Sequence, residues 1–194
     1  MRALVFILAL AATPVIACPT ADDLATGIRV TESGDITHLF RTTSPGIVEV
    51  ISDFGGADGG LNHLFHGTYI LRISSLYDGL LDFDSVMLTD YHRDGTALPL
   101  PSPGLEQTFK TTVRSFDESY SETQAQSWGA LEEITIGDCT TPLIKGTIIY
   151  GSEYGTVTET IAYLPDMEIG LLTSYADGDQ EPDTYKFIGI EAVE

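Results

Sequence analysis

The chain has 194 residues and a formal net charge of −20, with 9 Lys and Arg against 29 Asp and Glu. This charge repels the phosphates of nucleic acids and the headgroups of anionic membranes, so neither is an expected partner. Hydrophobic residues make up 43% of the chain. That share and that length suit one globular domain with a sizeable core and exclude a disordered chain.

The first residues are typical of a secretory signal peptide. Arg2 is followed by a short apolar run over residues 3–12, and the small residue Ala17 offers a cleavage site. The run is too short to span a bilayer, and polar sequence follows directly. We predict a signal peptide over residues 1–17, a single β-rich domain over residues 18–194, a periplasmic or secreted location and no transmembrane segment in the mature chain.

Cys18 and Cys139 are the two cysteines of the chain, and they allow two interpretations. An exported protein meets an oxidising compartment, where an even count favours a disulfide between them. Alternatively, residues 15–18 loosely fit a bacterial lipobox, and Cys18 is then an acylated lipid anchor. That alternative leaves Cys139 as a free thiol, which is uncommon in such a compartment, so we favour the disulfide.

Alternation of apolar and polar residues, interrupted by turn residues, predicts strands along most of the chain. A helical turn near Leu24 precedes them. The predicted strands cover residues 28–32, 35–41, 47–51, 69–73, 108–114, 131–136, 143–150, 156–163, 169–175 and 184–190. Residues 54–60 are predicted to form a flexible loop without a regular element, and residues 77–105 and 118–128 show no clear pattern.

These features predict an all-β, antiparallel meander of about ten strands that forms a barrel, a half-barrel or a sandwich. Local alternation does not distinguish between the three kinds of closure.

Residues 134–139, Tyr150 and residues 163–172 resemble a pattern in small, uncharacterised, exported bacterial proteins. In those proteins a strand with a central cysteine, here Ile-Gly-Asp-Cys at residues 136–139, precedes a proline-containing turn and a last strand. Residues 18–28 are similar to the mature start of the same group, whereas residues 166–168 depart from its pattern. The resemblance implies export and a β fold but no activity. A remoter likeness to lipocalin-like barrels and periplasmic lipoprotein carriers implies a curved sheet.

No motif for catalysis or cofactor binding is present. The histidines, which are His38, His63, His66 and His92, lack the spacing of a zinc site. Residues 151–155 loosely resemble a nucleophile elbow, but the serine stands one position early and the segment joins two predicted strands. We therefore predict no catalytic residue, no metal site and no cofactor.

Tyrosines are concentrated in the last third of the chain. Tyr150, Tyr163, Tyr175 and Tyr185 are candidates to line a concave ligand surface, although the same residues also suit ordinary cross-strand pairs. The leading functional hypothesis is a non-enzymatic, exported β-domain that binds a small apolar ligand or an envelope protein. The alternatives are a cell-envelope hydrolase that uses carboxylates or a metal, and a lipid-anchored structural lipoprotein.

Overall fold

The computed structural model describes residues 18–92 and 98–193, so the predicted signal peptide lies outside the described residues. Two 3-10 helices are present in this part of the chain, η1 (Ala21–Ala25) and η2 (Phe83–Ser85). The strands are β1 (Ile28–Glu32), β2 (Thr37–Ser44), β3 (Ile47–Asp53), β4 (Asp58–Phe65), β5 (Tyr69–Tyr77), β6 (Leu80–Leu81), β7 (Met87–Asp90), β8 (Glu106–Arg114), β9 (Ser119–Ile136), β10 (Cys139–Ser152), β11 (Gly155–Leu164), β12 (Ile169–Asp177), β13 (Asp183–Thr184) and β14 (Phe187–Ala192).

All these strands belong to one antiparallel sheet. Their order is β13-β12-β11-β10-β9-β8-β7-β5-β4-β3-β2-β1-β14, with β6 paired to β5 outside this path. The predicted all-β antiparallel meander is confirmed, with fourteen strands in the described residues instead of about ten. The edge strands β13 and β14 are not paired with each other, so the path is open. An open, curved sheet agrees with the half-barrel and the sandwich, not with a closed barrel.

The sheet curls until its two ends pack against each other. One core cluster joins Val30, Phe40 and Val50 from the N-terminal strands to Leu164 and Leu171 from β11 and β12. These strands lie far apart in the sheet order, so only strong curvature brings their side chains together. Two further clusters, centred on Trp128 and on Tyr69, fill other parts of the interior.

Two segments differ from the sequence-based expectation. Residues 58–60 are strand, not loop, because β4 begins at Asp58. A Cβ at Gly59 would lie 2.7 Å from the backbone oxygen of Ser52, so glycine is the residue that permits this close strand approach. Residues 119–128 belong to the long strand β9, whose buried face carries Gln124 and Gln126. Polar residues on the buried face conceal the alternation that reveals other strands.

The N-terminal end of the described chain is attached at several points. Cys18 and Cys139 form a disulfide, as predicted, with their Cα atoms 5.1 Å apart. Ala21 N–H donates to the carbonyl of Asp166 at 2.8 Å. The last strand, β14, pairs with β1, so the two ends of the domain lie side by side.

Candidate functional site

A cavity of about 380 Å³ lies where the two ends of the curled sheet face each other. Its walls come from β14 and β1 to β5 on one side and from β11 and β12 on the other. Most of its wall is apolar, with contributions from Phe40, Leu64, Ile70, Ile161, Leu172 and Phe187. Phe54, which also lines the cavity, has 52% of its surface exposed, so this wall reaches solvent.

Three linked polar side chains form one part of the wall. His38 and Ser52 are directly opposite each other on β2 and β3, and Glu32 ends β1. His38 Nε2 lies 3.2 Å from Glu32 Oε2, and His38 Nδ1 lies 2.8 Å from Ser52 Oγ. An ionised carboxylate only accepts hydrogen bonds, so Nε2 donates to it. In the neutral ring Nδ1 then accepts the hydroxyl proton of Ser52.

This chain of groups resembles the nucleophile, base and carboxylate of a serine hydrolase, but its surroundings differ. Such an enzyme needs free N–H donors that stabilise the oxyanion. Ser52 lies within β3, between β2 and β4, where backbone amides are engaged in the sheet ladder. Glu32, His38 and Ser52 therefore form a hydrogen-bonded, polar part of the cavity wall.

Glu159 places a second carboxyl group at the cavity. It lies on β11 directly opposite Tyr175 of β12, and Tyr150 OH donates to its Oε2 at 2.8 Å. Burial is the main cause that raises the pKa of Glu159, and the neighbouring Glu122 carboxylate raises it further, while the Tyr150 hydrogen bond acts against both. Among the described residues, no Lys or Arg lies within ion-pair distance of Glu159.

Two more polar groups at the cavity lack partners. Thr68, in the turn between β4 and β5, is only 6% exposed, and its Oγ1 has no hydrogen-bond partner among the described residues. The side-chain oxygen of Asn62, on β4, is also buried without a partner there. Both residues line the cavity. Because buried polar groups are normally hydrogen-bonded, unpartnered atoms at a cavity are typical of a ligand or water site.

A second polar network lies inside the sheet but outside this cavity. Tyr91 OH donates to Gln124 Oε1 at 3.0 Å, and Gln124 Nε2 donates to Glu122 Oε1 at 2.9 Å. Thr111 Oγ1 also reaches Glu122. Burial is the largest cause that raises the pKa of Glu122, against the effect of these hydrogen bonds. This network satisfies its own polar groups and positions the central strands.

Two of the four predicted tyrosines line the cavity, and the other two do not. Tyr175 and Tyr185 line the cavity, whereas Tyr150 reaches it indirectly through its bond to Glu159. Tyr163 is 2% exposed and packs edge-on against Trp128, with ring centroids 6.1 Å apart. Contact between any of them and a ligand stays a prediction.

Most of the polar groups of the cavity carry no local sequence signal, including Glu32, His38, Ser52, Asn62 and Thr68. They come from five consecutive segments, and only the register of the paired strands places their side chains together. Within the described residues, no group of three or more His, Cys, Asp or Glu side chains is arranged to hold a metal ion. In the same part of the chain, no helix has the length and apolarity that a membrane span requires.

Comparison with known proteins gives one remote likeness. No protein-family model matches the chain, and no curated protein matches it. The crystal structure of the hypothetical lipoprotein YmcC from Escherichia coli (K12) is similar over 88% of each chain, with 9% sequence identity and a TM-score of 0.43. At that identity and score, the likeness carries no argument about the site or its function. The resemblance to small exported bacterial proteins therefore stays a prediction.

Proposed function

We propose that this protein is a non-enzymatic, exported binding domain and that its cavity takes up a small, largely apolar ligand. The observation that carries the proposal is the cavity of about 380 Å³, with an apolar wall and a few polar groups. Small-molecule sites have volumes of about 300–1,000 Å³ and this same kind of lining. Protein interiors otherwise pack as densely as organic crystals, so an unfilled space of this size favours a binding function.

Export is the second part of the proposal. The disulfide between Cys18 and Cys139 is a bond that forms and persists in oxidising compartments. In this bond the sulfur of Cys18 is occupied, and acylation requires the same atom to be free. The disulfide therefore supports a secreted or periplasmic domain over a lipid-anchored one.

A hydrolase is the competing function, and the polar wall offers its best support. Glu32, His38 and Ser52 are linked by hydrogen bonds in the order that a serine hydrolase uses. The position of Ser52 in a strand that is paired on both sides argues against that function, because backbone amides of β3 are engaged by β2 and β4. Binding without turnover thus fits the geometry better.

The first test measures binding of a neutral, solvatochromic probe, N-phenylnaphthylamine, to the disulfide-bonded domain. Ile73 lines the cavity and is 37% exposed, so Ile73→Trp places a large ring at the cavity while the partly open position tolerates it. We expect saturable binding to the wild type and a loss of affinity of about tenfold or more in this variant, which is about 1.4 kcal/mol.

Ile149→Trp is the matched control, because Ile149 is 42% exposed, lies on β10 and does not line this cavity. It should bind the probe like the wild type. Absence of saturable binding, or an equal loss in both variants, would contradict a binding function at this cavity. Hydrolysis of a model ester that disappears in Ser52→Ala would instead establish the enzymatic alternative.

A further inference from the structure

The charges around the cavity have one sign. Among the described residues, its lining includes two carboxyl groups, those of Glu32 and Glu159, and no Lys or Arg. The one titratable nitrogen among the described lining residues belongs to His38, which is held between Glu32 and Ser52. Glu32 therefore already has a donor. In the part of the chain that the structure describes, the cavity lining offers no Lys or Arg that would bind a carboxylate or phosphate headgroup, so anionic headgroups are disfavoured there.

Glu159 is the carboxylate that still lacks a cationic partner. Its one hydrogen bond among the described residues comes from the neutral hydroxyl of Tyr150, which leaves the other carboxyl oxygen without a donor. Glu122 adds a second negative charge to its surroundings. A partly buried carboxylate attracts a bound cation more strongly than a carboxylate in water does, because the local dielectric constant is lower.

Aromatic rings lie beside this carboxyl group. Tyr175 is its direct cross-strand partner, and Tyr185 lines the same cavity. The backbone N–H of Tyr185 donates to Thr173 at 3.0 Å, which fixes that segment beside β12. Aromatic faces attract ammonium groups through their quadrupole, and a carboxylate among aromatic rings is the chemistry by which proteins recognise amines.

The unpartnered hydroxyl of Thr68 is an independent sign that a molecule occupies this space. Thr68 is 6% exposed and lines the cavity, yet its Oγ1 has no partner among the described residues. The side-chain oxygen of Asn62 is also buried without a hydrogen-bond partner among the described residues. Each of the two groups can accept a hydrogen bond, so both indicate that a ligand or bound water occupies this part of the cavity.

Resting on the proposed function, we propose that the ligand is an amphiphilic amine, whose ammonium group lies between Glu159 and the rings of Tyr175 and Tyr185. Its apolar part then lies against Leu64, Ile70, Ile161 and Leu172. The cavity accordingly selects cationic over neutral amphiphiles and rejects anionic ones of the same length.

The test compares decylamine, decanol and decanoate, which share one apolar chain and differ in the charge of the head. Their affinities are measured by calorimetry and by displacement of N-phenylnaphthylamine, below micelle formation and at physiological ionic strength, where long-range attraction to the acidic surface is screened. We expect decylamine to bind about tenfold or more tightly than decanol, and decanoate to bind most weakly.

Two sets of variants assign the preference to individual groups. Glu159→Gln keeps an acceptor for Tyr150 and should weaken decylamine binding about tenfold while decanol binding stays unchanged. Asp177→Asn removes an exposed carboxylate near the end of β12, outside the cavity lining, and should change neither affinity. Tyr175→Phe retains the ring and should retain decylamine affinity, whereas Tyr175→Leu should lower it several-fold.

The outcomes separate this inference from the proposed function. If decanoate binds as tightly as decylamine, or if Glu159→Gln and Asp177→Asn weaken decylamine binding equally, the amine preference is overturned while the cavity remains a binding site. If none of the three amphiphiles displaces the probe, the inference fails. If the probe itself does not bind, the proposed function fails with it.

Discussion

At the scale of single residues, Glu159 should make stability depend on pH. Its pKa is raised in the folded protein, chiefly by burial. Below the ordinary pKa of a glutamate, the folded and the unfolded state both hold the proton, so ionisation of this residue does not lower the free energy of unfolding. As pH rises from this ordinary pKa to the raised folded-state pKa, the unfolded state releases the proton before the folded state does, so stability falls. We therefore expect Glu159→Gln to be more stable than the wild type at neutral pH and equal to it near pH 4.

Urea unfolding of both proteins across this range of pH measures the difference directly. Glu153→Gln is the matched control, because Glu153 is an exposed glutamate in the turn that joins β10 to β11. The control should show no pH-dependent difference from the wild type. A Glu159→Gln protein that is less stable than the wild type at neutral pH would show that the ionised carboxylate is stabilised in the fold, contrary to its burial.

Individual residues of the site were predictable only where they carry a local signal. Tyr175 and Tyr185 were candidates because tyrosines are concentrated in the last third of the chain, and both line the cavity. His38 was not a candidate, because its role depends on Glu32 and Ser52, from two other strands. Contacts between side chains across strands follow from register and curvature, and neither is encoded in one short window of sequence.

At the scale of elements, strands with one apolar face were predictable and strands with a polar buried face were not. Val157, Ile161 and Tyr163 share a face with Glu159, and β11 lies where their alternation places it. In β9, by contrast, Gln124 is 1% exposed and Gln126 is 3% exposed, so polar residues occupy core positions. Hydrogen bonds within the sheet make this arrangement stable, and they involve partners from distant segments.

The turn between β4 and β5 is an element on which the cavity depends. Gly67 has a φ of +68°, and a Cβ added there would overlap the backbone oxygen of Glu168 in the turn before β12. Gly67→Ala therefore incurs about 1–2 kcal/mol for the left-handed conformation and a further 1–3 kcal/mol for displacing a backbone neighbour. We expect a total loss of about 2–5 kcal/mol in the free energy of unfolding, measured in urea.

Gly79→Ala separates these two contributions. Gly79 has a φ of +72°, but no atom lies within 4 Å of the position of its Cβ. This variant should lose only about 1–2 kcal/mol, the conformational part. Because Thr68 adjoins Gly67 and lines the cavity, Gly67→Ala should also weaken probe binding, and Gly79→Ala should not. Equal losses of stability in the two variants would show that the contact between the two turns is dispensable.

At the scale of the whole molecule, the open sheet needs attachments that hold its curled ends together. The sheet order keeps β12 and β2 far apart along the hydrogen-bonded path, yet side chains from both regions share one core cluster and one cavity. Hydrophobic packing provides most of this closure, and the pairing of β14 with β1 brings the chain ends together. The cavity lies at the same junction, so its shape depends on closure of the entire domain.

The disulfide is the covalent part of this closure, and its removal should be costly. It joins residues 121 positions apart in the sequence. The chain-entropy model assigns a loop of this length about 5 kcal/mol of stabilisation, and real bridges commonly deliver 2–5 kcal/mol. We expect the Cys18→Ser/Cys139→Ser double variant to lose stability within that range and to bind N-phenylnaphthylamine less tightly, because the ends of the sheet are then held by non-covalent contacts alone.

Single variants distinguish the disulfide from an anchor on Cys18. Removing either cysteine breaks the same bond, so Cys139→Ser should lose nearly as much stability as the double variant. The intact mass of the wild type should be lower by two hydrogens than that of its reduced form. With acylated Cys18, the denatured protein would retain the mass of a lipid, and Cys139→Ser would replace only a buried thiol, at a small cost. Since Cys139 is 5% exposed and pairs with Cys18 beside the packed ends of the sheet, we expect the first result.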